Sequence, residues 1–441
     1  MSHLIVPHDV SADGAIVWLA SIDNEAPIDG ALAYGASTTV LDVPGWTEWR
    51  FGNHTIRHRL VALAGLEPRT RYALQLRAGT VGIADGAVTT LPRRLPDAAD
   101  RPFTILLGSC FCRRMDDAAT VGNTYFHLPS GATPDLKILC GDQVYLDSPW
   151  YSFARPHEIA TLQALFAENY IATWTQDGGF RQLLEDGATY FISDDHEFWN
   201  NAPSRCAFAI DTWTQNGRDA WRDAARQLIL AFQNRVTTSE FAVPPLSVFL
   251  ADTRFNRDDQ RLMTDDDLQK LVGWIKGLTA PGLLVVGQLV FDVQHGVMGN
   301  VLDWGLADYA QYGEIARALM GAQHSIVVLT GDVHFGRVAH CALPSGAELI
   351  EVVSSPLALV NESAAGKWAP APQTFPSFDV PGIAKTTVTT EVSWQTAANQ
   401  FLTLAFTGRG PAAVDMTVQY WPIATGGATP KGSTVFTRTL H

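Results

Sequence analysis

The chain is poor in charge, in cysteine and in long apolar runs, and each shortage excludes a class of protein. Charged residues make up 17% of the 441 positions, below the ~25% usual for soluble chains. Lys and Arg number 31 against 45 Asp and Glu, a net charge of -14. No basic stripe interrupts this balance, so a nucleic-acid surface, which phosphate contacts would enrich in Lys and Arg, is not expected. Five cysteines with no CxxC spacing are too few and too scattered for a disulfide framework. No apolar run reaches the roughly 18 residues of a membrane span. The longest, residues 283–293, is broken by Gly287, Gln288 and Asp292. The opening residues carry no basic stretch followed by an apolar one, and no twin-Arg pair. A cytoplasmic protein with reduced thiols is therefore expected.

What is present is core material: 46% hydrophobic residues, including 21 Phe and 13 Trp, enough to exclude disorder. The first 90 residues alternate apolar and polar positions between turn residues, the pattern of a small β-sandwich. Gly65-Leu-Glu-Pro-Arg-Thr-Arg-Tyr72 is similar to the tyrosine corner of fibronectin-type domains. Residues 91–102 have linker composition. Helical periodicity then appears near 158–174, 211–235, 265–278 and 306–322. Thr264 before three aspartates reads as a helix cap rather than a metal site. Residues 361–382, rich in Pro, Ser and Ala, read as a long loop, disordered or a lid. Strands return at 401–407 and 414–421. The expected division is a sandwich over 1–92, a linker over 93–102 and a second, larger domain over 103–441.

Six short apolar runs end abruptly in polar clusters. Residues 103–107 lead into Gly108-Ser109-Cys110, 136–139 into Cys140-Gly141-Asp142-Gln143-Val144-Tyr145, and 190–192 into Ser193-Asp194-Asp195-His196-Glu197. Residues 246–251 lead into Asp252-Thr253-Arg254, 282–286 into Gly287-Gln288, and 325–329 into Thr330-Gly331-Asp332-Val333-His334. In α/β proteins side chains from several strand ends converge into one site. Carboxylates gathered there repel one another, and cations are the natural way to neutralise them. Oxygen donors suit Ca²⁺, Mg²⁺ or Mn²⁺, while thiolate, imidazole and tyrosinate suit a transition metal, so a mixed site is expected.

Gly-Ser-Cys, Gly-Asp-Gln-Val-Tyr, Asp-Asp-His-Glu-Phe-Trp-Asn-Asn and Gly-Asp-Val-His, in this order, resemble the alkaline phosphatase D (PhoD-like) branch of the metallophosphoesterases. The resemblance implies an α/β architecture: a fibronectin-like β-sandwich followed by a four-layer αββα domain. It implies hydrolysis of a small-molecule phosphate ester, monoester or diester, at Fe³⁺ with Ca²⁺, where a metal-activated hydroxide attacks phosphorus. By motif it places Cys110, Asp142, Asp332 and His334 around iron, with Asp142 bridging to calcium. Asp195 and one of Asn200 or Asn201 would hold calcium, and His196 would face the phosphate. Tyr170 sits where the family has an iron-bound tyrosinate; Tyr145, in Gly-Asp-x-x-Tyr, is its rival. Asp194 is either a ligand or a group orienting His196. Arg254 contacts phosphate or pairs with Asp252. No Gly-x-Ser-x-Gly elbow offers a serine nucleophile. The alternative is a metal-stabilised binding protein, with Trp199, Trp213, Trp221 and Trp304 lining a sugar groove.

Overall fold

The computed structural model describes residues 2–27, 29–35, 39–147, 158–206, 209–233, 237–296, 304–359, 368–396, 398–423 and 429–441. The N-terminal part is two four-stranded antiparallel sheets. One runs Ser2–Val10, Gly14–Ile22, His54–Ala64, Thr47–Phe51 in spatial order; the other runs Thr39–Asp42, Gly30–Tyr34, Arg71–Ala78, Val81–Thr89. The Tyr72 hydroxyl accepts the Glu67 N–H at 2.8 Å, which closes the corner expected at that tyrosine. This part abuts the remainder along Ala188–Ile192, where the Val10 N–H donates to the Tyr190 hydroxyl at 3.0 Å.

Residues 91–102 contain no helix and pair only through a bridge at Asp97, but they are held rather than loose. Leu91 and Leu95 are buried, and the Leu95 N–H donates to the Pro244 carbonyl at 2.8 Å.

Two further sheets face each other. The six-stranded sheet is ordered Ala188–Ile192, Leu136–Cys140, Phe103–Gly108, Gln400–Gly408, Val414–Pro422, Ser433–Leu440; its first three strands are parallel. The eight-stranded sheet is ordered Thr238–Val243, Leu246–Ala251, Gly282–Val285, Ile326–Thr330, Glu348–Val353, Gly336–Ala342, Thr386–Thr396, Thr374–Phe375; its second to fifth strands are parallel. Both faces of these strands are buried, and the period of two sorts their residues. Ile105, Leu107, Ile138, Val248, Val285 and Leu329 share the core between the sheets. Leu106, Leu139 and Phe191 pack outward with Ile159–Trp174 and Gln215–Phe232, whereas Phe249, Leu284 and Val328 pack against Asp265–Gly277 and Ala310–Met320. Leu162, Phe166, Tyr170 and Trp174 recur every fourth residue and form one buried helix face. The result is four layers, αββα. Thr264 caps its helix through the Asp267 N–H at 3.1 Å. No helix of the described residues is long and apolar enough to cross a membrane.

Of the expected loop at 361–382, residues 361–367 lie outside the described residues. The rest is packed: Thr374–Phe375 pairs with Thr386–Thr396, Phe375 is buried, and Arg337 donates to the Ala369 carbonyl.

Candidate metal centre

The parallel strands of both sheets finish at one place, and their following turns deliver the polar residues. Two glycines make this close approach possible. Gly141 has φ +92°, and a Cβ there would lie 2.4 Å from the Asp194 Cβ. A Cβ on Gly331 would lie 2.3 Å from the Ser109 Oγ. Side chains at these positions would push the strand-end turns apart. Non-glycine residues beside them adopt the left-handed region as well: Cys110 (57°), Asp142 (57°), Asn201 (66°), Asp332 (69°) and His334 (57°). They are five of the ten described non-glycine residues with positive φ. Strain concentrated at candidate ligands marks a functional site.

Three overlapping sets of donors have ligand atoms within 4.8 Å of one another: Cys110, Asp142 and His334; Asp142, Asp195 and His196; Asp194, Asp195 and Asp332. Cys110 is fully buried, and its Sγ lies 3.5 Å from an Asp142 oxygen. Ser355 donates its hydroxyl to that sulfur at 3.2 Å, with the Ser109 hydroxyl 3.4 Å away. Burial, then the charges of Asp142 and Asp332, push the free thiol well above its ordinary value. A bound cation reverses that balance, and hydroxyls aimed at sulfur suit a thiolate. Burial and the His196 charge bring His334 down to about 4, so its imidazole is neutral, the form that binds metal.

Asp142 is fully buried, and burial followed by the Asp195 charge raises its carboxyl. One of its oxygens accepts the His196 N–H at 3.1 Å. Asp195 accepts the Asn201 N–H at 2.5 Å through Oδ2, while its buried Oδ1 has no hydrogen-bond partner among the described residues. An orphaned carboxylate oxygen inside a cluster of carboxylates is the feature a cation resolves. The residues present therefore fit metal ions: a thiolate, an imidazole and carboxylates at one end, carboxylates alone at the other.

His196 is placed by Asp147, a residue the motif reading missed. The His196 Nδ1 lies 2.8 Å from the Asp147 Oδ1, and Asp147 also accepts the Asn200 N–H at 2.9 Å. Burial alone would lower the imidazole, but the charges of Asp147, Asp195 and Asp142 hold it well above its ordinary value. Glu197 was also missed. Its carboxylate accepts the N–H groups of Asp142 (2.8 Å), Gln143 (2.6 Å) and Asp194 (2.8 Å), and so ties two strand-end turns together. Both residues stand inside or just after the recognised motifs, so only their position was legible, not their partners.

The two tyrosines separate. The Tyr145 hydroxyl lies 3.4 Å from Asp142, and its ring packs on His196 with centroids 4.0 Å apart. The Tyr170 hydroxyl accepts from Gln233 at 3.3 Å, and its ring packs in the helix core. The structure thus shows Tyr145 in contact with Asp142 and His196, while the contacts it shows for Tyr170 are with Gln233 and the helix core.

Arg254 is engaged inside the protein. It is 2% exposed, its Nε donates to Asp194 at 2.6 Å, and its guanidinium reaches the Ala202 carbonyl. Its charge is held inside the protein beside Asp194. Asp252 accepts the N–H groups of Ser193 at 2.8 Å and Arg254 at 2.9 Å, a turn-forming role. Trp199 and Trp221 are buried against each other, so neither lines an open groove; Trp213 is 54% exposed.

No family model matches the chain, and no curated protein does. Among solved structures, that of PhoD aligns with a TM-score of 0.63 at 16% identity, covering 98% of this chain and 88% of that one. The structure of the purple acid phosphatase PPD1 from yellow lupin (Lupinus luteus) seeds aligns with a TM-score of 0.60 at 10% identity, covering 99% of this chain and 74% of that one. At such identities the likeness is one of fold: this chain has the fold of PhoD and of a purple acid phosphatase.

Proposed function

We propose that the protein is a metal-dependent phosphoric ester hydrolase. The observation that carries this reading is the convergence of three donor sets at the strand ends of both sheets. Cys110, Asp142, His334 and Tyr145 would hold a transition metal such as Fe³⁺, with Tyr145 taking the part first expected of Tyr170. Asp142, Asp194, Asp195 and Asp332, with Asn201 beside them, would hold a harder cation such as Ca²⁺, Mn²⁺ or Mg²⁺. When bound, such ions lower the pKa of a water and neutralise phosphoryl oxygens.

The chain's own residues supply the rest. Asp147 fixes the His196 ring through Nδ1, so Nε2 is the nitrogen left to hold a proton or a phosphoryl oxygen. The charged ring carries positive charge to a dianionic group or a proton to a leaving alkoxide. Glu197 fixes the backbone of Asp142 and Asp194, and Arg254 fixes the Asp194 side chain, so the acidic cluster is preorganised. The substrate of this reading is a small phosphate ester. The test is hydrolysis of bis(p-nitrophenyl) phosphate and p-nitrophenyl phosphate by one purified sample, with and without a strong chelator. Chelator-sensitive turnover supports the proposal, and the rate ratio assigns diester or monoester preference. Absence of turnover in protein carrying metal would overturn it.

A further inference from the structure

A cavity of about 200 Å³ opens beside the candidate metal centre, lined by Cys112, Arg113, Arg114, Tyr145, Glu168 and Asn169 among others. Tyr145 forms its inner wall, and the same tyrosine's hydroxyl lies 3.4 Å from Asp142. The cavity therefore lies against the candidate metal centre, with Tyr145 between the two. The two arginines are held at its rim by a tight turn. The Cys112 N–H donates to the Ala358 carbonyl at 2.9 Å, and the Met115 N–H donates back to Cys112 at 2.8 Å.

The charge of this rim runs against that of the molecule. The chain carries -14 overall, yet two adjacent exposed arginines stand over a pocket that abuts buried carboxylates. At ~30 Å³ per water the space holds about seven waters, more than a single carboxylate or phosphate group fills. Guanidinium groups match both anions with paired N–H donors. The Asn169 amide and the Glu168 carboxylate on the other wall suit hydroxyl or amide groups near that anion.

We propose that this cavity is a subsite for a second anionic group, a carboxylate or a further phosphate, carried on the alcohol side of the ester. The proposal rests on the phosphoesterase reading and adds a substrate class to it: esters with two separated anionic groups.

The test compares phenyl phosphate, 3-carboxyphenyl phosphate and benzene-1,3-diyl bisphosphate as substrates of the metal-loaded, full-length protein. The wild type is measured beside R113Q/R114Q and E168Q. Comparing variants on each ester cancels differences in leaving-group chemistry. In the double variant, kcat/KM for the two charged esters falls about tenfold relative to phenyl phosphate, mainly through KM, the size of one charge-assisted contact. E168Q moves the ratio the other way by a few fold, because it removes a like charge from the pocket. The carboxylated and bisphosphorylated arms show which anion the site takes. An unmoved ratio in both variants, with phenyl phosphate still hydrolysed, would overturn the subsite alone. No turnover of any of the three esters by metal-loaded wild type that still hydrolyses bis(p-nitrophenyl) phosphate would overturn the subsite alone, and failure on that diester as well would overturn it together with the phosphoesterase reading.

Discussion

Replacing Asp147 by Asn tests whether His196 is held as a charged ring. Both side chains are almost fully buried, at 3% and 7% exposure, and their contact is 2.8 Å. Solvent screening is therefore slight. Asn keeps the shape, but its single carbonyl oxygen can serve only one of two donors, the His196 ring or the Asn200 N–H. A charge-assisted hydrogen bond contributes about 1.5–3 kcal/mol, and breaking a buried pair by removing one partner costs about 3–5 kcal/mol. We expect a loss of about 2–4 kcal/mol, between these limits, since one acceptor remains. The pH dependence carries the sign. His196 is raised in the folded state, so its contribution is complete below the unfolded histidine value of ~6.5 and fades as pH rises through the higher folded value. Asp147 is lowered by the His196 charge and its hydrogen bonds, against burial, so its contribution fades as pH falls through its folded value, below the unfolded ~3.9. The wild-type advantage over Asp147→Asn is thus largest near pH 4.5–6 and shrinks toward alkaline pH. Urea titrations of both proteins at several pH values measure it. The kcat of the variant should fall about 100-fold, the low end for a positioned acid–base group. A difference that is constant with pH, together with an unchanged kcat, would refute the charged dyad.

In protein loaded with Fe³⁺, Tyr145→Phe should abolish the visible tyrosinate absorption, while Tyr170→Phe should leave it; the spectra of the two variants decide between the tyrosines. Gly141→Ala should reduce metal content and stability by about 1–3 kcal/mol, because its φ is +92° and the new methyl would lie 2.4 Å from the Asp194 Cβ; metal analysis and a melting curve check this. Burial brings Lys137 down to about 7, so the cost of charging it is present below that pH and is relieved as pH rises toward its unfolded value of ~10.4. Lys137→Met should lack this rise in stability between pH 7 and 10, measurable as urea midpoints.

The site was legible because its residues directly follow short apolar runs, and that pattern survives without knowledge of partners. The strand ends carrying Cys110, Asp142, Asp195 and Asp332 could be read from sequence, as could the four helices. Partners were not. Gln400–Gly408 lies beside Phe103–Gly108, some 300 positions earlier, and no local period encodes that pairing. Gly336–Ala342, Glu348–Val353, Thr386–Thr396 and Ser433–Leu440, which complete both sheets, were not singled out. Asp147 follows a turn rather than an apolar run, so nothing set it apart from a solvated aspartate. Arg254 was read by its neighbour in sequence, Asp252, whereas its ion pair is with Asp194, 60 positions away. Tyr170 lies on the buried face of its helix, where sequence alone does not separate a packing aromatic from a ligand.

The most direct test is metal content and chelator-sensitive ester hydrolysis, measured together on wild type and Asp142→Asn. Asp142 belongs to two of the three donor sets, so its loss touches both candidate ions. The account predicts bound metal and turnover in wild type, and loss of both in the variant. Full metal content with retained hydrolysis in Asp142→Asn would contradict it.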